Sequence, residues 1–180
     1  MIRVPTTPRK RNSPLPTSST IDRNWIGAEF PKGIDIERSL AANAKARGES
    51  PPDPSLAVLY CEIAAADERH VATIETIATR YGHTPSRSAS GGVGETLGRI
   101  RDKVAGMGSS LLDCLSHDLE TKAQAIHWHT AWVRTFESIG DAESSRELAI
   151  VLIEEKTHHE ALQQGLDRMI EQHARGEALS

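Results

Sequence analysis

Residues 63–74, IAAADERHVATI, and residues 151–162, VLIEEKTHHEAL, decide how this chain is read. In both, apolar residues recur at alternating three- and four-residue steps, the period of a helix with one buried face. Where that face should continue, each run supplies an acid and then a histidine. The first stripe runs Leu56, Leu59/Tyr60, Ile63, Asp67, His70, Ile74, Ile77/Ala78 and Tyr81. The second runs Leu148, Val151/Leu152, Glu155, His158, Leu162, Leu166 and Met169/Ile170. An unpaired carboxylate in an apolar core is costly, so these acids should be paired, hydrogen-bonded or bound to metal. Residues three apart on a helix share a face, so Asp67 with His70, and Glu155 with His158, can aim an oxygen and a nitrogen at one atom.

The surrounding chain supplies the helices. Asp53 is a predicted N-cap and Pro54 a first-position proline, where a missing N–H costs nothing. The helix that follows should reach Tyr81 and Gly82, about 42 Å. Before it, Asp35 to Arg47 predicts a shorter helix, stopped by Gly48 and the run Glu49-Ser50-Pro51-Pro52. After it, His83 to Gly94 (HTPSRSASGGVG) reads as a flexible connection. Helical pattern resumes at Glu95, weakens at Gly106-Met107-Gly108 and continues to Ile139. Gly140-Asp141 then turns the chain into a last helix ending near Ala174.

Two short-linked helix pairs joined by one long connection predict an all-α fold, an antiparallel four-helix bundle with a long crossover. Residues 31–176 form that bundle on this reading. Residues 1–30 form a flexible basic arm, which Trp25, Ile26 and Phe30 pin at its end, and 177–180 a short tail.

A dimetal centre in such a bundle takes an acid-x-x-His pair from each of two helices and a single carboxylate from each of the other two. Glu120 shares a face with Leu112, Leu115/Ser116, Leu119, Ala123 and His127, and Glu37 with Leu40, Ala41 and Ala44. Glu37 lies 11 residues before Gly48 and Asp67 lies 13 after Pro54, so antiparallel packing levels them. Glu37 would also fall in the first turn of its short helix, where it could serve the dipole instead. Glu120, 20 residues before Gly140, and Glu155, 14 after Asp141, are mismatched by about 9 Å. His127 stands nearer that level, as a substitute ligand or a partner of one.

Ala66-Asp67-Glu68-Arg69-His70-Val71 leading to Arg80-Tyr81-Gly82, and Ile153-Glu154-Glu155-Lys156-Thr157-His158 leading to Ala161-Leu162, resemble the ferritin-like superfamily. That group includes rubrerythrins, bacterioferritins and small stress-associated bacterial domains. The resemblance covers about residues 34 to 175. It implies a carboxylate-bridged di-iron or di-manganese centre that oxidises ferrous iron, reduces peroxide or activates oxygen. By matching positions its metal ligands would be Glu37, Asp67, His70, Glu120, Glu155 and His158. Asp67 stands where the family has Glu, one carbon shorter, which makes that half-site the weaker. No rubredoxin-like cysteine pair is present. Such chains commonly pair, so a homo-oligomer is expected, with metal ions and oxygen or peroxide as the other partners. The alternative is a metal-free bundle serving as an oligomeric stress or interaction module, its acid and histidine pairs forming a buried ion-pair network.

Composition narrows the rest. The net charge is −4, but residues 1–20 carry Arg3, Arg9, Lys10 and Arg11 and no acid, leaving 17 basic against 25 acidic residues elsewhere. An acidic body argues against a broad nucleic-acid face, leaving only weak contact through the basic tail. Cys61 and Cys114 read as buried thiols in a reducing compartment. With no apolar leader and no long apolar run, the chain is expected to be cytoplasmic, without a membrane partner. Trp128 and Trp132 read as packing, and Glu154, His159 and Glu160 as a solvated or oligomer-facing edge.

Overall fold

A computed structural model describes residues 21–51, 53–83 and 111–176. Among them are four α-helices and no strand: α1 (Ile21–Glu49), α2 (Ala57–Arg80), α3 (Leu111–Ile139) and α4 (Ala142–Ala174), with a 3-10 turn, Pro54–Leu56, before α2. None is long and apolar enough to cross a membrane. The connection expected over 83–94, the resumed helix over 95–105 and the Gly106–Gly108 break lie, apart from His83, outside the described residues, as do residues 1–20 of the arm.

Both expected caps form. Asp53 Oδ1 accepts from Ser55 N at 2.7 Å, and Asp141 Oδ1 accepts from Ser144 N at 3.0 Å. Gly140, at φ +82°, takes the left-handed conformation the turn into α4 requires. Tyr81 at the end of α2 donates its hydroxyl to Asp141 Oδ2 at 2.7 Å, so the residue capping α4 also fixes the end of α2.

The first helix differs from expectation. It begins at Ile21 rather than near Asp35 and takes in residues 21–30, expected to be part of the arm, with Pro31 inside it. A proline within a helix forfeits a hydrogen bond and costs about 3 kcal/mol. Tertiary packing offsets that cost: Phe30 is wholly buried, with its ring 5.1 Å from that of Trp132 and 5.8 Å from that of Phe136, and Ile34 is buried beside it. Gly33 lets α1 approach this closely, because a Cβ there would run into the Trp132 ring.

α1 packs along α2, α3 packs along α4, and α2 also meets α4. Every helix contributes to two apolar clusters. One holds Phe30, Ile34, Ile74, Ile77, Trp132, Phe136 and Leu148. The other holds Ala44, Leu56, Tyr60, Ile63, Leu115, Leu119, Leu162 and Met169. Along each helix the residues separating them are polar and buried: Glu37, Asp67 with His70, Lys122 with His129, and Glu155. A charged layer therefore interrupts an otherwise apolar core.

Candidate metal centre

The layer is built from one or two residues per helix. Glu37 belongs to the middle of α1, 16 residues past its start, so the first-turn dipole role does not arise. Asp67 and His70 sit one turn apart on α2, and Glu155 faces them from α4; all four residues are at most 2% exposed. Glu37, Asp67, His70 and Glu155 each offer a ligand atom, and these atoms lie within 4.8 Å of one another.

His70 holds the arrangement together. Its Nε2 lies 2.9 Å from Glu154 Oε2, and since a carboxylate only accepts, that nitrogen carries the hydrogen. The Nδ1 atom then faces the layer, 3.1 Å from Glu155 Oε1, 3.5 Å from Glu37 Oε2 and 3.6 Å from Asp67 Oδ1. It makes no hydrogen bond with them. These are contacts of charge, and they attract only when the ring is protonated. Glu37 Oε2, Asp67 Oδ2 and Glu155 Oε2 are likewise buried without a hydrogen-bond partner. Buried polar atoms left bare cost about 1–3 kcal/mol each, so four of them at one place call for a cation or protons.

Two hydrogen-bond donors supplied by α3 are already there. Lys122 Nζ donates to Asp67 Oδ1 at 2.6 Å and to Glu155 Oε1 at 2.9 Å. His129 Nε2 donates to Glu37 Oε1 at 2.7 Å, its ring edge-on to Trp132 at 5.3 Å.

The resulting acidities are unequal. Burial would raise the Glu37 carboxyl, but His129 and His70 outweigh it and bring the pKa to about 2. Asp67 is dominated by burial, with Lys122 offsetting only part of it and Glu155 and Glu37 adding repulsion, so its pKa rises to about 7. For Glu155, burial is overridden by two cations, His70 and Lys122, and the pKa falls. Burial opposes a charge on His70, yet Glu155 and Glu37 carry its pKa up to about 10.

Of the six expected ligands, four converge. Glu120 does not: it is exposed, as is His127. The buried stripe of α3 is Leu115, Leu119, Lys122, Ala125, His129, Trp132 and Phe136, rotated away from the face that carries Glu120. His158 is half-buried and stands outside the four-residue group, with Nδ1 bare; burial and then the Lys122 charge lower its pKa. A dinuclear centre therefore does not fit these residues. The second bridging carboxylate is missing, and an ammonium group lies between Asp67 and Glu155.

Three participants escaped the sequence reading. Lys122 and His129 appear on stepping back from Phe136 through Trp132 in threes and fours. Glu154, assigned to a solvated edge, instead supports His70 and pairs with Arg69 at 3.3 Å. Cys114 is buried as expected, whereas Cys61 is exposed. Trp132 is buried in the core and Trp128 packs against it, as expected of both.

A cavity of about 30 Å³ reaches the layer between Tyr60, Asp118, Asp67, Lys122 and Leu162, with Arg47 among its lining residues. Tyr60 donates to Asp118 at 2.7 Å and Arg47 pairs with the same carboxylate at 3.4 Å, a polar cluster in a lining that also includes Leu40, Ala44, Ile63 and Leu162.

Comparison with protein-family models, with curated proteins and with solved structures finds no significant match.

Proposed function

We propose that this chain is a ferritin-like four-helix bundle, its antiparallel helix pairs joined by a long crossover, that binds one iron or manganese ion among Glu37, Asp67, His70 and Glu155. The observation that carries the reading is the convergence of four buried ligand residues, each with one bare polar atom, with the His70 tautomer already set for coordination by Glu154. A carboxylate holding the far nitrogen of a liganding histidine is the usual support of a protein metal site. Three carboxylates and one imidazole suit a comparatively hard first-row ion. Such an ion supplies one-electron chemistry and open positions for oxygen or peroxide, consistent with ferroxidase, peroxidase or oxygen-activating activity. His129 orients Glu37, and a cavity about the size of one water adjoins the layer beside Tyr60 and Asp118.

Lys122 supports a second reading, a metal-free bundle acting as an oligomeric stress or interaction module. With His70 and Lys122 charged and Asp67 partly protonated, the layer comes close to neutrality without a metal.

Elemental analysis after anaerobic loading with Fe2+ or Mn2+ separates the two. A bound ion at a hundred times its Kd should raise Tm by about 5–10 °C for a chain of this size, and His70→Leu should abolish the shift. No uptake, with His70→Leu losing about 3–5 kcal/mol of stability in EDTA because its carboxylate partners are left unpaired, supports the ion-pair network instead. Sedimentation velocity on the same samples reads the homo-oligomer that either form is expected to make.

A further inference from the structure

We infer that Lys122 is a built-in second cation, whose ammonium stands where a second metal ion would otherwise bridge Asp67 and Glu155. The inference deepens the single-ion reading above. Its geometry is that of a bridging ion: Nζ contacts one oxygen from α2 and one from α4, at 2.6 and 2.9 Å, and the lysine is 3% exposed. Helix α3 brings it there in core register, between Leu119 and Ala125. The other oxygens of the same carboxylates, Asp67 Oδ2 and Glu155 Oε2, remain buried and bare. Each of the two acids thus gives one oxygen to the lysine and keeps one for an ion. The layer is divided into a filled cation position and an open one, and the chain should take up one divalent ion instead of two.

Lysine placed here has a further effect on charge. Two divalent ions would bring four positive charges to the layer, whereas one ion with an ammonium brings three, matching Glu37, Asp67 and Glu155 without help from a fourth carboxylate. Glu120, on the exposed face, is therefore not needed for neutrality.

The test is Mn2+ stoichiometry in the full chain, by equilibrium dialysis and elemental analysis, for the parent, Lys122→Glu and Lys122→Met. The expected result is about one ion for the parent and about two for Lys122→Glu, the latter having a carboxylate on each of the four helices. Lys122→Met should be less stable than the parent in EDTA and gain more from Mn2+. No uptake by the parent but uptake by Lys122→Glu keeps the lysine's role and removes the single-ion reading. Two ions in the parent, equal uptake and equal Mn2+ response in all three, or variants that stay unfolded with and without Mn2+ would each overturn the inference.

Discussion

His129 Nε2 donates to Glu37 Oε1 at 2.7 Å, tying α3 to α1 at a point where both side chains are 2% exposed. Removing one partner of such a pair strands a charge in a dry core. His129→Leu is expected to lose about 3–5 kcal/mol of stability in urea titrations, and Glu37→Leu/His129→Leu to recover most of it. A double variant as unstable as the single one would mean that the histidine serves packing against Trp132 rather than the carboxylate.

The charged layer predicts an unusual pH profile for the metal-free protein. Asp67 has a pKa of about 7 and His70 about 10 in the folded chain, both above their unfolded values of 3.8 and 6.5. The folded state binds more protons between those limits, so stability falls as pH rises through 4 to 10. Glu37, lowered from 4.5 to about 2, acts in the opposite sense, and its contribution is lost as pH falls through that range. Urea midpoints in EDTA should therefore peak at about pH 4–5 and decline to pH 10. Saturating Mn2+ should flatten the decline, since the ion displaces the same protons. A level profile in EDTA would contradict the assignment of charge.

Glu154 is 35% exposed and contributes little to packing, yet it fixes which nitrogen of His70 faces inward. Glu154→Ala should leave the urea midpoint nearly unchanged and weaken Mn2+ binding by about 10–100-fold. Isothermal titration at constant pH reads both affinity and proton release. Unchanged affinity would mean that the tautomer is set by other groups.

Gly33 faces the Trp132 ring with no room for a methyl group. Gly33→Ala gains helix propensity of about 1 kcal/mol and loses about 1–3 kcal/mol to overpacking, so a net loss is expected, with altered tryptophan fluorescence. Gly33→Ala/Trp132→Leu should be less impaired than the sum of the two single variants.

The stripes of α2 and α4 were legible because Asp67, His70 and Glu155 interrupt otherwise unbroken apolar periods, and both caps lie beside turn residues. Helix α3 was harder. Following 116, 120, 123 and 127 keeps to a neighbouring face, one residue or about 100° round the helix, and lands on Glu120, while the true stripe passes through a lysine, a residue that normally marks the solvent face. Its burial becomes intelligible only once the acids of α2 and α4 are in place. α1 was under-read because residues 1–30 carry no apolar period and read as a basic arm, and local sequence does not record that Phe30 would bury against α3.

Lysine and glutamate codons differ only in their first base. At position 122 such a change would replace a fixed positive charge with an oxygen ligand in an existing pocket, at little cost in side-chain volume. If Lys122 fills a cation position as inferred above, a second ion site would be separated from the present state by the smallest step available to a gene. Cation content would then be a quantity that natural variation can alter without a new helix.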